Sequence, residues 1–213
     1  MTDELNKIYA HLIKSIPSNS IDCRSLFNGS EHELKKAKLL VDAIPERNQE
    51  VQSKDLIRRT RDCKMYVETH GYVMSEMTEK EVNFRIAYSI IMYSDVLQVE
   101  HLLRAIYRPQ NIYCIHVDAK SSNASFNAIQ SVAKCFPNVF ILEPMISVTW
   151  GTLSLLEVEL ICMKELLERN RSWKYFINLT GQEFPLKTNS ELVDILTAFN
   201  GSNSVSGEHK STW

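Results

Sequence analysis

A chain of 213 residues, 44% hydrophobic and 23% charged, has the material for one globular domain or a domain with an appendage. Its net charge of −2 offers no general attraction to nucleic acid or to anionic membranes. No run of about 18 apolar residues is present to span a bilayer, and the start, Met1-Thr-Asp-Glu-Leu-Asn-Lys7, lacks the apolar core of a signal peptide.

Residues 1–83 are polar and lack strand-like runs, and they are expected to wrap a core formed by residues 84–213. Glu31 to Val41 reads as a helix that stops before Pro45. Lys54 to Tyr66 reads as a second helix. From Phe84 the pattern changes. Ile86-Ala-Tyr-Ser-Ile-Ile-Met92 is a nearly unbroken apolar run, as expected of a strand covered on both faces. Val99, Leu102, Leu103 and Ile106 follow at helical spacing, with Ser94 or Asp95 as the cap. A Pro-marked turn leads to a second strand, Tyr113 to Val117. Ser125 to Phe136 reads as a helix and Asn138 to Leu142 as a third strand. Thr152 to Asn170 carries Leu153, Leu156, Leu160, Met163 and Leu167 on one helical stripe. Lys174 to Leu179 is a fourth strand. Thr188 and Glu191 form a capping box before Leu192 to Phe199, and Asn200-Gly201 ends that helix. Strands alternating with helices predict an α/β fold with a mainly parallel sheet and right-handed crossovers.

This topology places polar clusters on one sheet edge: Tyr93-Ser94-Asp95, Asp118-Ala-Lys120 and Thr180-Gly181-Gln182-Glu183. In open α/β sheets ligands bind beyond the carboxyl ends of the strands, so the three clusters form a candidate binding site. Asp118 reads as a ligand group or, equally, as a turn residue. Glu183 is a solvated loop carboxylate or a site residue. His116, within a strand, reads as a core histidine before a catalytic one. Trp150-Gly151 is a stacking platform or a packed helix start. No Gly-x-Gly-x-x-Gly follows the first strand, and no Walker loop or Gly-x-Ser-x-Gly elbow is present. The absence of Asp-x-Asp after a strand gives no indication of a metal site. Five cysteines without a Cys-x-x-Cys pair argue against a zinc knuckle or a thioredoxin motif. Sequons at Asn28, Asn123, Asn170, Asn178 and Asn200 mildly favour a secretory history.

Several words of the sequence share one order and spacing with a known family. They include Ile86-Ala-Tyr-Ser-Ile90, the long stretch from Leu102 to Asp118, Cys135-Phe-Pro-Asn-Val-Phe140, Cys162-Met-Lys164, Trp173 to Asn178, and Gly181-Gln-Glu-Phe-Pro-Leu-Lys-Thr-Asn189. From about Cys63 to Lys210 the chain resembles the core 2 and I-branching β-1,6-N-acetylglucosaminyltransferases. That resemblance implies a GT-A-like fold and an inverting enzyme that takes UDP-GlcNAc, uses no metal ion or other cofactor, and acts on glycoprotein O-glycans of galactosyl-GalNAc type. It also implies a type II Golgi membrane protein, although no anchor is visible in this sequence. Ile91 and Asp118 match positions that contact the uridine, and Tyr93, Trp150, Gly181 and Gln182 join them as donor-binding candidates. Glu183, Ser206 and Glu208 are the acceptor-binding candidates. Glu183 and Ser206 stand where the family has Asp and an acidic residue, and the wording from Trp150 to Ser154 differs from that of the core 2 enzymes. The resemblance pairs Cys63 with Cys135 and Cys114 with Cys162, and leaves Cys23 unpartnered, as a route to dimers. It puts the family's catalytic glutamate and its diphosphate-neutralising residues beyond residue 213. Glu183 is then the fallback base, and transfer by these 213 residues is not expected. A xylosyltransferase-like relative and a non-catalytic binding protein are the competing readings.

Overall fold

The computed structural model describes residues 21–42, 49–75 and 78–204. The described part opens with α1 (Cys23–Phe27), α2 (Glu31–Asp42), α3 (Gln49–Arg59), α4 (Cys63–His70) and α5 (Glu79–Asn83). The sheet and its flanking helices follow as β1 (Ile86–Met92), α6 (Val96–Ile106), β2 (Ile112–Val117), α7 (Asn123–Ala133), β3 (Val139–Ile141), α8 (Leu153–Arg169), β4 (Tyr175–Thr180) and α9 (Asn189–Phe199). The strands form one sheet in the order β3-β2-β1-β4, with every neighbour parallel. The α/β fold with a parallel sheet expected from the alternating pattern is what forms.

The unbroken apolar run of β1 has its reason in this order. β1 is central, flanked by β2 and β4, and all seven of its residues are buried. On one face Tyr88, Ile90 and Met92 pack with Val99, Leu102 and Leu103 of α6, Ile129 and Val132 of α7, and Val193 and Leu196 of α9. On the other face Ala87, Ile91 and Cys114 meet Val158, Cys162 and Leu166 of α8. Burying a side chain such as Leu166 contributes about 1.5–3 kcal/mol.

The leucine stripe of α8 faces outward. Leu153, Leu156, Leu160 and Leu167 are exposed, and Val158, Cys162 and Leu166 form the buried face. Both sets recur at helical spacing; contact with the sheet selects the second. The helix expected from Lys54 to Tyr66 is two helices. Thr60 Oγ1 turns back to the Leu56 carbonyl, and Asp62 caps α4 by accepting from Met65 N at 3.0 Å. Likewise α7 starts two residues early, because Ser122 caps it by accepting from Ser125 N, and it ends at Ala133. The Thr188–Glu191 capping box and the left-handed Asn200 at the end of α9 are both present. The segment before β1 shares the core: Leu56, Tyr66 and Tyr72 are buried in the same cluster as Leu102, Tyr107 and Phe136. A Cys63–Cys135 disulfide, with Cα atoms 5.0 Å apart, fastens α4 to the end of α7.

Candidate functional site

After β1, α6 and β2 carry the chain toward β3, whereas β4 pairs on the opposite side of β1. The loops leaving β1 and β4 therefore diverge, the arrangement that opens a crevice at the carboxyl edge of a parallel sheet. A cavity of about 490 Å³ lies there, and its walls come from Ile91 to Ser94, Asp118, Lys120, Val148, Trp150, Leu155 and Thr180 to Gln182. Three polar clusters far apart in sequence thus meet in one place, together with a fourth segment, residues 143–152, that the sequence reading did not include as a unit.

Asp118 is 4% exposed and extends the β2 ladder by donating its N–H to the Met92 carbonyl at 2.8 Å. Its Oδ1 accepts from Lys120 N at 2.8 Å and its Oδ2 from Val148 N at 3.1 Å. The Lys120 ammonium stands 3.5 Å from Oδ2, donates to the Val148 carbonyl, and lies 5.8 Å from the centroid of the Tyr93 ring. Asp118 is thus both a turn-former and a cavity wall. Each of its oxygens retains a further lone-pair direction for a ligand donor.

His116 is fully buried and accepts from Ile146 N through Nε2 at 3.1 Å, while Ala119 N donates to the Ile146 carbonyl. Nε2 must be unprotonated to accept, so the proton is assigned to Nδ1, which has no partner. Burial lowers the His116 pKa below its ordinary value, against an opposing pull from Asp118. The residue serves as a core histidine that fastens the 143–152 segment to β2. Above that segment Trp150 is 90% exposed, which excludes the packed helix start and leaves an indole face at the rim. Tyr93 is 59% exposed on the opposite loop.

Gly181 closes the other wall. Its N–H donates to the Ile91 carbonyl at 2.8 Å, and a Cβ there would stand 2.7 Å from Val99 Cγ2. Only glycine lets the end of β4 approach α6 this closely. Gln182 lines the cavity beside it. Glu183 does not: its carboxylate accepts from Thr180 N and closes its own turn. Ser206 and Glu208 lie outside the described residues. Cys114 and Cys162, both fully buried, face each other with Sγ atoms 2.7 Å apart and are unlinked thiols in this structure. The contact with Cys162, together with burial, pushes the Cys114 thiol far above its usual pKa.

The family model described as "Core-2/I-Branching enzyme" matches residues 86–213, which include every strand and every described wall of the cavity. The chain belongs to the Core-2/I-Branching enzyme family. Among its relatives, a Bos taurus beta-1,3-galactosyl-O-glycosyl-glycoprotein beta-1,6-N-acetylglucosaminyltransferase is 36% identical over 208 residues, covering 97% of this chain and 49% of the relative. The Homo sapiens protein of the same name is 37% identical over 193 residues, covering 90% of this chain and 45% of its own length. A Danio rerio beta-1,3-galactosyl-O-glycosyl-glycoprotein beta-1,6-N-acetylglucosaminyltransferase 4 is 39% identical over 197 residues, covering 90% and 44%. This Core-2/I-Branching chain spans about half the length of the relatives it matches.

Proposed function

We propose that this chain forms the donor-binding half of a β-1,6-N-acetylglucosaminyltransferase, and that the cavity holds UDP-GlcNAc without a divalent ion. The observation that carries this reading is Asp118, a buried carboxylate at the carboxyl end of β2 that faces a 490 Å³ cavity rimmed by an exposed Trp150. A carboxylate with spare lone pairs suits the ribose hydroxyls or the base N–H, and an open indole suits the face of a base or a sugar. Lys120 is the one cation among the cavity's described lining residues, and its charge suits a diphosphate. Metal-free donor binding rests on the family resemblance alone. The names of the relatives support a beta-1,3-galactosyl-O-glycosyl-glycoprotein acceptor and a β-1,6 linkage. Inversion and a type II Golgi location rest on the family resemblance alone. The test is calorimetry with UDP and with UDP-GlcNAc, with and without EDTA. Binding that survives chelation supports the reading; binding abolished by chelation defeats it.

The cavity also favours binding without turnover by these 213 residues. Asp118 is the one carboxylate among its described lining residues, and it is already tied to Lys120 and Val148. Inverting transfer needs a base for the acceptor hydroxyl, and the loss of one typically removes a factor of roughly 10² to 10⁴. An assay with labelled UDP-GlcNAc and a galactosyl-GalNAc acceptor is expected to show turnover at least about 10² below that of a full-length relative. Comparable turnover would restore Glu183 as the first base to substitute.

A further inference from the structure

Asn170, at the end of α8, has a local geometry that separates it from the other four sequons. Its Oδ1 accepts from Ser172 N at 2.8 Å and from Ser172 Oγ at 2.6 Å. The sequon hydroxyl therefore sits on the carboxamide of its own asparagine. Such a turn closes within three residues and needs no tertiary contact to form. Ser172 Oγ also accepts from Arg85 Nη1 at 3.1 Å, which holds the turn in the folded protein.

In the other four the hydroxyl has different partners or none. Ser30 Oγ accepts from Glu33 N at the start of α2. Ser125 is 2% exposed and its Oγ pairs with that of Ser122 at 2.9 Å. Asn178 lies within β4 and its Nδ2 donates to Glu159 at 2.9 Å, while no hydrogen bond joins Asn200 to the Ser202 hydroxyl. The Nδ2 of Asn170 has no such engagement, and Arg171 and Ser172 are exposed. Asn170 borders a second, polar hollow of about 630 Å³ whose walls include Arg85, Asn138, Phe140 and Arg169. This hollow lies at the amino ends of the strands. The seven residues of β1 span roughly 20 Å, so it is that far from the Asp118 cavity.

We propose that Asn170 is a site of N-linked glycosylation, and that its glycan stands on the sheet edge opposite the donor cavity. The co-substrate is a lipid-diphosphate-linked oligosaccharide presented by a lumenal oligosaccharide transferase. Asn170 Nδ2 forms the bond to the sugar C1, the bond from C1 to the lipid diphosphate breaks, and the Nδ2 proton passes to the transferase's base. Two donors on Oδ1 stabilise the charge that moves onto that oxygen as the proton leaves. The polar hollow gives the first sugar a hydrogen-bonding surface, and the strand length keeps it clear of the nucleotide.

This inference rests on the secretory reading of the family, and the test separates the two. The 213-residue chain, carrying a secretory leader, is expressed in eukaryotic cells. Its peptides are mapped by mass spectrometry after glycosidase release in heavy-oxygen water. Occupancy at Asn170 is expected, with one glycan lost in Asn170→Gln and in Ser172→Ala and retained in Ser172→Thr. An unoccupied Asn170 in molecules whose Cys63–Cys135 bond has formed overturns the proposal, because such molecules have passed through the oxidising compartment. Calorimetry with UDP on Asn170→Gln reports the donor cavity independently: unchanged affinity supports the separation of the two edges, and a tenfold loss overturns it.

Discussion

Val148 N donates to Asp118 Oδ2 at 3.1 Å, so a residue thirty positions downstream holds the carboxylate that ends β2. The bond joins two tasks in one side chain. It fixes the orientation of Asp118, and it draws the segment bearing Trp150 over the cavity. The cost of removing the carboxylate therefore falls on binding and on loop order together.

Asp118→Ala removes a charged acceptor from the proposed nucleotide site. Hydrogen bonds to charged groups contribute about 1.5–3 kcal/mol, so UDP affinity is expected to fall about tenfold or more. Calorimetry measures the loss, and limited proteolysis across residues 143–152 reports any release of the loop. Unchanged affinity would place the nucleotide elsewhere.

Gly181→Ala inserts a methyl group 2.7 Å from Val99 Cγ2. Overpacking of this kind costs about 1–3 kcal/mol, which in a chain of this size lowers Tm by roughly 2–4 °C per kcal/mol. Because Gly181 N also bonds to Ile91 O, UDP affinity should fall with it. Thermal denaturation followed by circular dichroism, with UDP titration of the folded variant, checks both.

Material from an oxidising compartment should contain Cys63–Cys135, which closes a 72-residue separation and contributes about 4 kcal/mol in the chain-entropy description. Cys114 and Cys162 are already in contact at 2.7 Å, and the same material is expected to carry them as a second bridge. Non-reducing peptide mapping distinguishes one bridge from two. A linkage from Cys23 to any of these four would overturn the pairing.

Stability should decline as pH falls below about 6.5, because burial lowers the pKa of His116 and of His70 in the folded state. A histidine whose folded pKa is depressed leaves the unfolded chain binding more protons through that window, so acid favours unfolding. Stability from this source is complete above the unfolded value and is lost on acidification toward the folded one. For His116, protonation at Nε2 also breaks the bond from Ile146 N. His116→Gln should flatten part of the slope in chemical denaturation between pH 5 and 7, with His70 contributing to what remains. An unaltered slope would show that His116 does not titrate in this range.

Much of the fold was legible because it depends on local pattern. The run from Ile86 to Met92 announces a strand covered on both faces, Thr188 and Glu191 specify their capping box through a three-residue spacing, and the alternation of strands and helices sets the parallel sheet. Asp118 could be assigned to the carboxyl edge from the same rule, and Tyr93, Gly181 and Gln182 with it. Other features depend on contacts that no local pattern encodes. Leu153 to Leu167 and Val158 to Leu166 are both helical stripes, and only the surface offered by Ala87, Ile91 and Cys114 determines which one is buried. The carboxylate of Glu183 turns onto Thr180 N instead of the cavity, a choice of rotamer and backbone that its position after β4 does not dictate. The 143–152 segment gains its place through His116 and Asp118, contacts spanning about thirty residues. The sequence by itself determined the succession of elements from Ile86 onward and the edge of the sheet where chemistry belongs. The tertiary structure decided which side chains reach that edge, since hydrogen bonds and burial between distant segments select among orientations that are equivalent within any one of them.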